Sequence, residues 1–301
     1  MKHNLRITLF LITLFILTQV VGLALISKDL KVETIDGRPA VVHSDTAIGA
    51  RPDVSGASAF AYLVVAVFIG TVLLLVLIRF RRVMIWKLWF FLAVWLTTTV
   101  AVGVLIDANA ALLISFVLAG LKIFRPNVFV HNATEVLMYS GIAILLVPLF
   151  DLYWAAGLLL VISVYDVYAV FKSKHMVKMA KFQAKSKMFA GLFIPYAAGK
   201  PAKSMAAGGS LKPAPVKNAI LGGGDIAFPL IFTGVVMERL VESGISGQLA
   251  FVESAAITLL AAASLFALFV IAKKDKFYPA MPFVSAGCFM GYAVVCLINL
   301  I

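Results

Sequence analysis

The chain has 301 residues, of which 62% are hydrophobic and only 13% charged, with a net charge of +12 and a mean hydropathy of +1.04. That much apolar surface excludes a soluble globular protein of this length, and the absence of period-two alternation excludes a transmembrane β-barrel. The positive charge does not point to nucleic acid: ten lysines fall in one stretch, 172–217, which holds no Asp or Glu and reads as a cytoplasmic loop.

Apolar runs of about twenty residues, separated by short polar breaks, predict an all-α polytopic membrane protein with about nine transmembrane helices. The first run is Ile7–Ile26, after Lys2 and Arg6. It is longer than a signal-peptide core and has no clear small-x-small cleavage site, so a retained helix is expected. A polar segment, Ser27–Ser58, follows. The next runs are Ala59–Ile78, Val83–Ile106, Ala110–Ile123, Val136–Phe150 and Leu152–Phe171, then Ala219–Val236, Leu249–Ala272 and Pro282–Ile301. Basic residues alternate regularly along this series: Arg79, Arg81, Arg82 and Lys87, then Lys122 and Arg125, the ten lysines, and Lys273, Lys274 and Lys276. The intervening connections are poor in Lys and Arg. The basic connections belong inside, which places the N-terminus in the cytoplasm and the C-terminus outside the cell membrane.

Three parts follow. Residues 1–171 form a six-helix half, 172–217 a basic loop, and 218–301 a three-helix half. Within the loop, Lys172–Met188 has the pattern of a basic amphipathic surface helix. The remainder, with Gly208, Gly209, Pro213 and Pro215, reads as a mobile loop. Cys288 and Cys296 lie in the last apolar run and read as inert buried thiols. His3, His43, His131 and His175 are scattered, so a zinc site is not expected; no organic cofactor is expected either, since the two-aspartate chemistry of Asp166 and Asp225 needs none.

Two aspartates interrupt the apolar runs. Asp166 lies six residues before Lys172, and Asp225 seven after Asn218. At about 1.5 Å per residue, both sit roughly 10 Å below the same membrane face. An ionisable group at that depth costs about 3 kcal/mol or more, which marks it as functional. Two carboxylates sharing protons in a low-dielectric site can perform aspartic proteolysis. Gly222, Gly223 and Gly224 precede Asp225 and loosen the helix by roughly 1 kcal/mol each relative to alanine. Pro229 removes the hydrogen bond that would reach back to the carbonyl of Asp225. Tyr165 is placed to orient a carboxylate or contact substrate, or to pack in the bundle. On the same side, Tyr278-Pro279-Ala280-Met281-Pro282 opens the last run, and its two prolines predict an extended wall of the site.

Tyr165-Asp166, Gly222-Gly223-Gly224-Asp225 and Pro279-Ala280-Met281 together resemble the Tyr-Asp, Gly-x-Gly-Asp and Pro-Ala-Leu motifs of the presenilin and signal peptide peptidase family. Order, helix number and membrane side agree along most of the chain. The resemblance implies an intramembrane aspartyl protease, with Asp166 and Asp225 as its catalytic dyad and Pro279–Met281 shaping the substrate site. Two positions depart from the pattern: Met281 stands where the family has leucine, and Gly223 where a bulky apolar residue is usual. The short chain, with its N-in, C-out topology, looks like a prokaryotic presenilin homologue.

The expected partners are the lipid bilayer and transmembrane segments of membrane proteins as substrates, not nucleic acid. A homo-oligomer is left open. The main alternative is an ion-coupled transporter using the same aspartates, although the two halves show no internal repeat. A prepilin-peptidase-like enzyme would carry lysine at position 227, which is Ala227 here. A non-catalytic chaperone of membrane segments would tolerate loss of both aspartates.

Overall fold

The computed structural model describes residues 5–35, 38–80, 83–172, 189–197, 216–272 and 278–300. Nine α-helices run through them: α1 (Leu5–Asp29), α2 (Gly56–Arg79), α3 (Val83–Gly103), α4 (Ala108–Phe124), α5 (Val128–Leu146), α6 (Leu152–Phe171), α7 (Gly224–Glu242), α8 (Gly247–Ile271) and α9 (Met281–Ile298). Seven are long and apolar enough to cross a membrane, and α4 is a shorter apolar helix. α7 carries Asp225, Glu238, Arg239 and Glu242 and is the most polar of the set. The fold is an all-α polytopic membrane bundle with two small antiparallel hairpins: β1 (Leu30–Ile35) with β2 (Arg38–His43), and β3 (Gly191–Ala197) with β4 (Val216–Gly222).

Polar residues at the breaks start the helices. Asp107 accepts from the Ala110 N–H at 3.0 Å, Asn127 from Phe129 at 2.8 Å and Asp151 from Trp154 at 3.0 Å. Each satisfies a donor that has no partner within its own helix. α7 is the hub and packs against α1, α5, α6, α8 and α9. α8 and α9 approach most closely, because Gly287 and Gly291 leave room for the opposing backbone. A Cβ on Gly287 would lie 2.6 Å from the Ala261 Cα, which is close packing through small residues.

The end of the bundle away from Asp225 is closed by charge. Arg51 donates to both oxygens of Asp29 at 2.9 and 2.7 Å, and to the Ile144 carbonyl at 2.6 Å. His43 bridges Asp29 at 3.0 Å and Glu238 at 3.1 Å, tying β2 and the end of α1 to α7. Burial opposes the charged imidazole, but the two carboxylates outweigh it and push the His43 pKa up to about 9.

Four expectations need correction. The fifth helix starts at Val128, not Val136, and therefore includes His131, Asn132 and Glu135. The seventh run was expected to be helical from Ala219. Residues 219–222 instead finish β4, and the helix starts at Gly224, since three consecutive glycines favour a break. Parts of the expected loop 172–217 are the strands of the second hairpin; the expected surface helix at 173–188, with Gly208, Gly209, Pro213 and Pro215, lies outside the described residues. Finally, Tyr278–Pro279 is non-helical, but Ala280 already has helical angles (φ −88°, ψ −31°) and α9 starts at Met281. Proline is compatible with the first turn of a helix, whose N–H groups have no intrahelical acceptor.

Candidate active site

α6 and α7 pack side by side and carry Asp166 and Asp225, both buried. The two carboxylates lie near enough for their charges to interact. Asp166 is approached from α9: the Met281 N–H donates to its Oδ2 at 3.1 Å, and the Ala280 N–H also serves it. Ala280 and Met281, which follow Pro279, thus meet Asp166 through backbone donors at a helix start, where such donors are free to bind an anion. A second tie holds the two helices in register, the Ser163 hydroxyl lying 2.8 Å from that of Ser285.

Asp225 sits in the first turn of α7, where the backbone changes from strand to helix. Gly223 donates to the Ala190 carbonyl at 3.3 Å, while its own carbonyl accepts from Ile226 at 3.2 Å and Ala227 at 2.9 Å. The Gly222 backbone N–H lies against an Asp225 oxygen. Each glycine of the triplet has a different neighbour. A Cβ on Gly222 would fall 3.1 Å from Asp225 Oδ2, and one on Gly224 would rest 3.4 Å from the Phe228 ring. A Cβ on Gly223 would collide with the Tyr139 hydroxyl. That collision gives a physical reason for the departure at this position, because the Tyr139 side chain fills the volume that a bulky residue would need.

Tyr165 lies between α6 and α2, its hydroxyl 3.2 Å from Thr71 Oγ1. Gln19, in α1, is fully buried and donates to the Ile226 carbonyl, one residue after Asp225, at 2.8 Å. This helps a segment that Pro229 leaves short of backbone hydrogen bonds. Among the described residues, no group of three or more His, Cys, Asp or Glu side chains is arranged to hold a metal ion.

Sequence reasoning missed a buried polar cluster beside this turn. Lys122, near the end of α4, pairs with Glu135 of α5, and the Tyr139 hydroxyl donates to the same carboxylate. Lys122 reads in the sequence as a connection charge, yet its side chain is only 1% exposed. Its ammonium also lies over the Phe90 ring, 5.4 Å from the centroid. The available signal was Glu135 itself, an acid seven residues into α5, and therefore about 10 Å deep, like the two aspartates. Its partner Tyr139 follows at i+4, on the same helix face.

Residues 12–301 match the family described as signal-peptide peptidase, presenilin aspartyl protease. No curated protein matches the chain by sequence. Two solved structures of a presenilin family intramembrane aspartate protease share its fold. One, in space group P2, has a TM-score of 0.61 at 17% identity, over 96% of this chain and 97% of the other. The second, in C222, has a TM-score of 0.59 at 15% identity, over 95% of each.

Proposed function

The chain belongs to the signal-peptide peptidase and presenilin aspartyl protease family, and from that premise we propose that it hydrolyses peptide bonds within transmembrane segments, with Asp166 and Asp225 as the catalytic pair. The observation that carries this reading is the placement of two buried carboxylates on adjacent helices, with charges close enough to interact. One carboxyl is protonated and the other ionised, and the pair titrates as a unit. The ionised member takes a proton from a water between them. The resulting hydroxide attacks the scissile carbonyl, while the protonated member hydrogen-bonds the carbonyl oxygen. The Met281 N–H, donating to Asp166, fixes one carboxylate relative to α9.

A helical substrate must first unwind, because its amides are shielded by their own turn. The second hairpin offers an extended template. The outer edge of β3 is already occupied: His131 donates to the Gly191 carbonyl at 2.8 Å, and Asn132 exchanges hydrogen bonds with Phe193 at 3.0 and 3.1 Å. That leaves β4, which ends at Gly222 three residues before Asp225, as the strand for an unwound substrate to join. In this reading the dyad end of the bundle, where Arg79 and Lys172 emerge, faces the cytoplasm. The chain divides into the 1–171 and 218–301 halves, with one catalytic residue on each. Neither the family nor the fold supports the ion-coupled transporter alternative.

The test is cleavage of a labelled transmembrane peptide by the purified protein in liposomes. Parent activity should fall to background in both Asp166→Ala and Asp225→Ala. Persistent cleavage in either variant removes the dyad.

A further inference from the structure

We propose that Glu135 is a positioning residue that sets the placement of the Asp225 turn through two hydrogen bonds to one carboxylate oxygen. The role rests on the reading of Asp225 as a catalytic group. Glu135 is fully buried. Its Oε1 faces Lys122. Its Oε2 accepts from the Tyr139 hydroxyl and from the Gly191 backbone N–H, the latter at 2.9 Å.

Both Oε2 contacts lead to Asp225. Gly191 opens β3 and pairs in register with Gly222 at the end of β4. Fixing the Gly191 N–H therefore fixes the strand end from which α7 starts. Tyr139, held by the same oxygen, packs its hydroxyl against Gly223, two residues before Asp225. Glycine-rich backbone does not hold itself in place, so the position of this turn must come from its neighbours. α5 supplies them through His131, Asn132 and Glu135, which together serve the β3 edge as a third strand would.

The geometry separates two jobs of Glu135. Pairing with Lys122 neutralises a buried ammonium. Accepting at Oε2 locates the turn and needs an oxygen but no charge, since one glutamine oxygen can accept two hydrogen bonds. This separation gives the test. Two variants remove both charges: Lys122→Met with Glu135→Gln, which keeps the acceptor, and Lys122→Met with Glu135→Leu, which does not. Neither leaves an unpaired charge in the bundle. For each, kcat and KM for the labelled peptide are measured in liposomes, together with hydrogen exchange of the 219–228 and 281–298 segments.

The glutamine variant should retain kcat within about threefold of the parent. The leucine variant should lose kcat at least tenfold with KM within about threefold, and its exchange should rise in 219–228 and not in 281–298. Equal kcat in the two variants, whether high or low, overturns the positioning role. So does a rise in exchange that is uniform over both segments, because that reports general loosening. If Asp225→Ala still cleaves, the protease reading of the dyad fails. The exchange contrast between the glutamine and leucine variants then decides the positioning of the turn by itself.

Discussion

α2 and α7 belong to one bundle but are surrounded by opposite media. Of the described side chains of α2, only Ala59 and Leu74 are buried, whereas α7 is buried along most of its length. Charge runs the other way. α2 has no Asp, Glu, Lys or Arg before Arg79, and α7 has four such residues. The more apolar helix faces lipid and packs mainly against α6 and α3; the more polar one is enclosed by five helices. Protein can supply partners that hydrocarbon cannot, such as Gln19 at the Ile226 carbonyl and His43 at Glu238. A helix with reactive groups and a weakened backbone is therefore tolerated at the centre of the bundle and not at its rim.

Substitutions in α2 and in the surroundings of α7 would break or sharpen this contrast. The largest effect is expected from Gly223→Leu. Overpacking against Tyr139 should cost about 1–3 kcal/mol and abolish detectable cleavage, seen as a lower melting temperature in detergent and loss of peptide product. The next concerns the far end of α7. The His43 pKa is raised from 6.5 to about 9, so its charged form is favoured by folding. This stabilisation is complete below pH 6.5 and is lost as pH rises through about 9. Melting temperature should fall across that window, and His43→Gln should flatten the fall. A slope unchanged by the substitution would show that the clasp does not hold α7. Gln19→Leu is expected to cost about 0.6–1.7 kcal/mol, the range of a hydrogen bond between membrane helices, with a modest loss of cleavage. The smallest effect belongs to α2. A Cβ on Gly70 meets nothing within 4 Å, so Gly70→Leu should leave stability unchanged or raise it by up to about 1 kcal/mol through helix propensity. A loss at Gly70 comparable to that at Gly223 would remove the contrast.

The helices that face lipid were legible in the sequence, because hydropathy reports the surface that lipid sees. α1, α2, α3, α6, α8 and α9 lie close to the runs read from composition. Where protein replaces lipid, the signal failed. The sequence pattern places the start of α5 eight residues late, because His131, Asn132 and Glu135 look like a polar connection until the β3 edge and Lys122 are in place around them. Both hairpins were missed for a related reason: each draws on contacts with distant segments. Asp166 and Asp225 stood out as acids in apolar runs, and the fold places their helices side by side. Gly222–Gly224 and Pro279–Met281 stood out by motif, but the contacts made around the aspartates did not. The Met281 N–H at Asp166 is a backbone donor, and Gln19 is one polar residue in a long apolar helix.

The Gln19 hydrogen bond also bears on how the protein is made. Its acceptor, Ile226, lies 207 residues further along the chain. At synthesis rates of about 5–20 residues per second, α1 waits roughly 10–40 s in the bilayer before α7 exists to receive it. During that interval the Gln19 amide has no native partner, and any insertion factor or neighbouring helix that shields it acts as a placeholder. Asp166 waits as well, since Met281 is made 115 residues later. The centre of the bundle is thus closed only once α7 and α9 have emerged, and a chain stopped before α9 leaves Asp166 without the Met281 N–H.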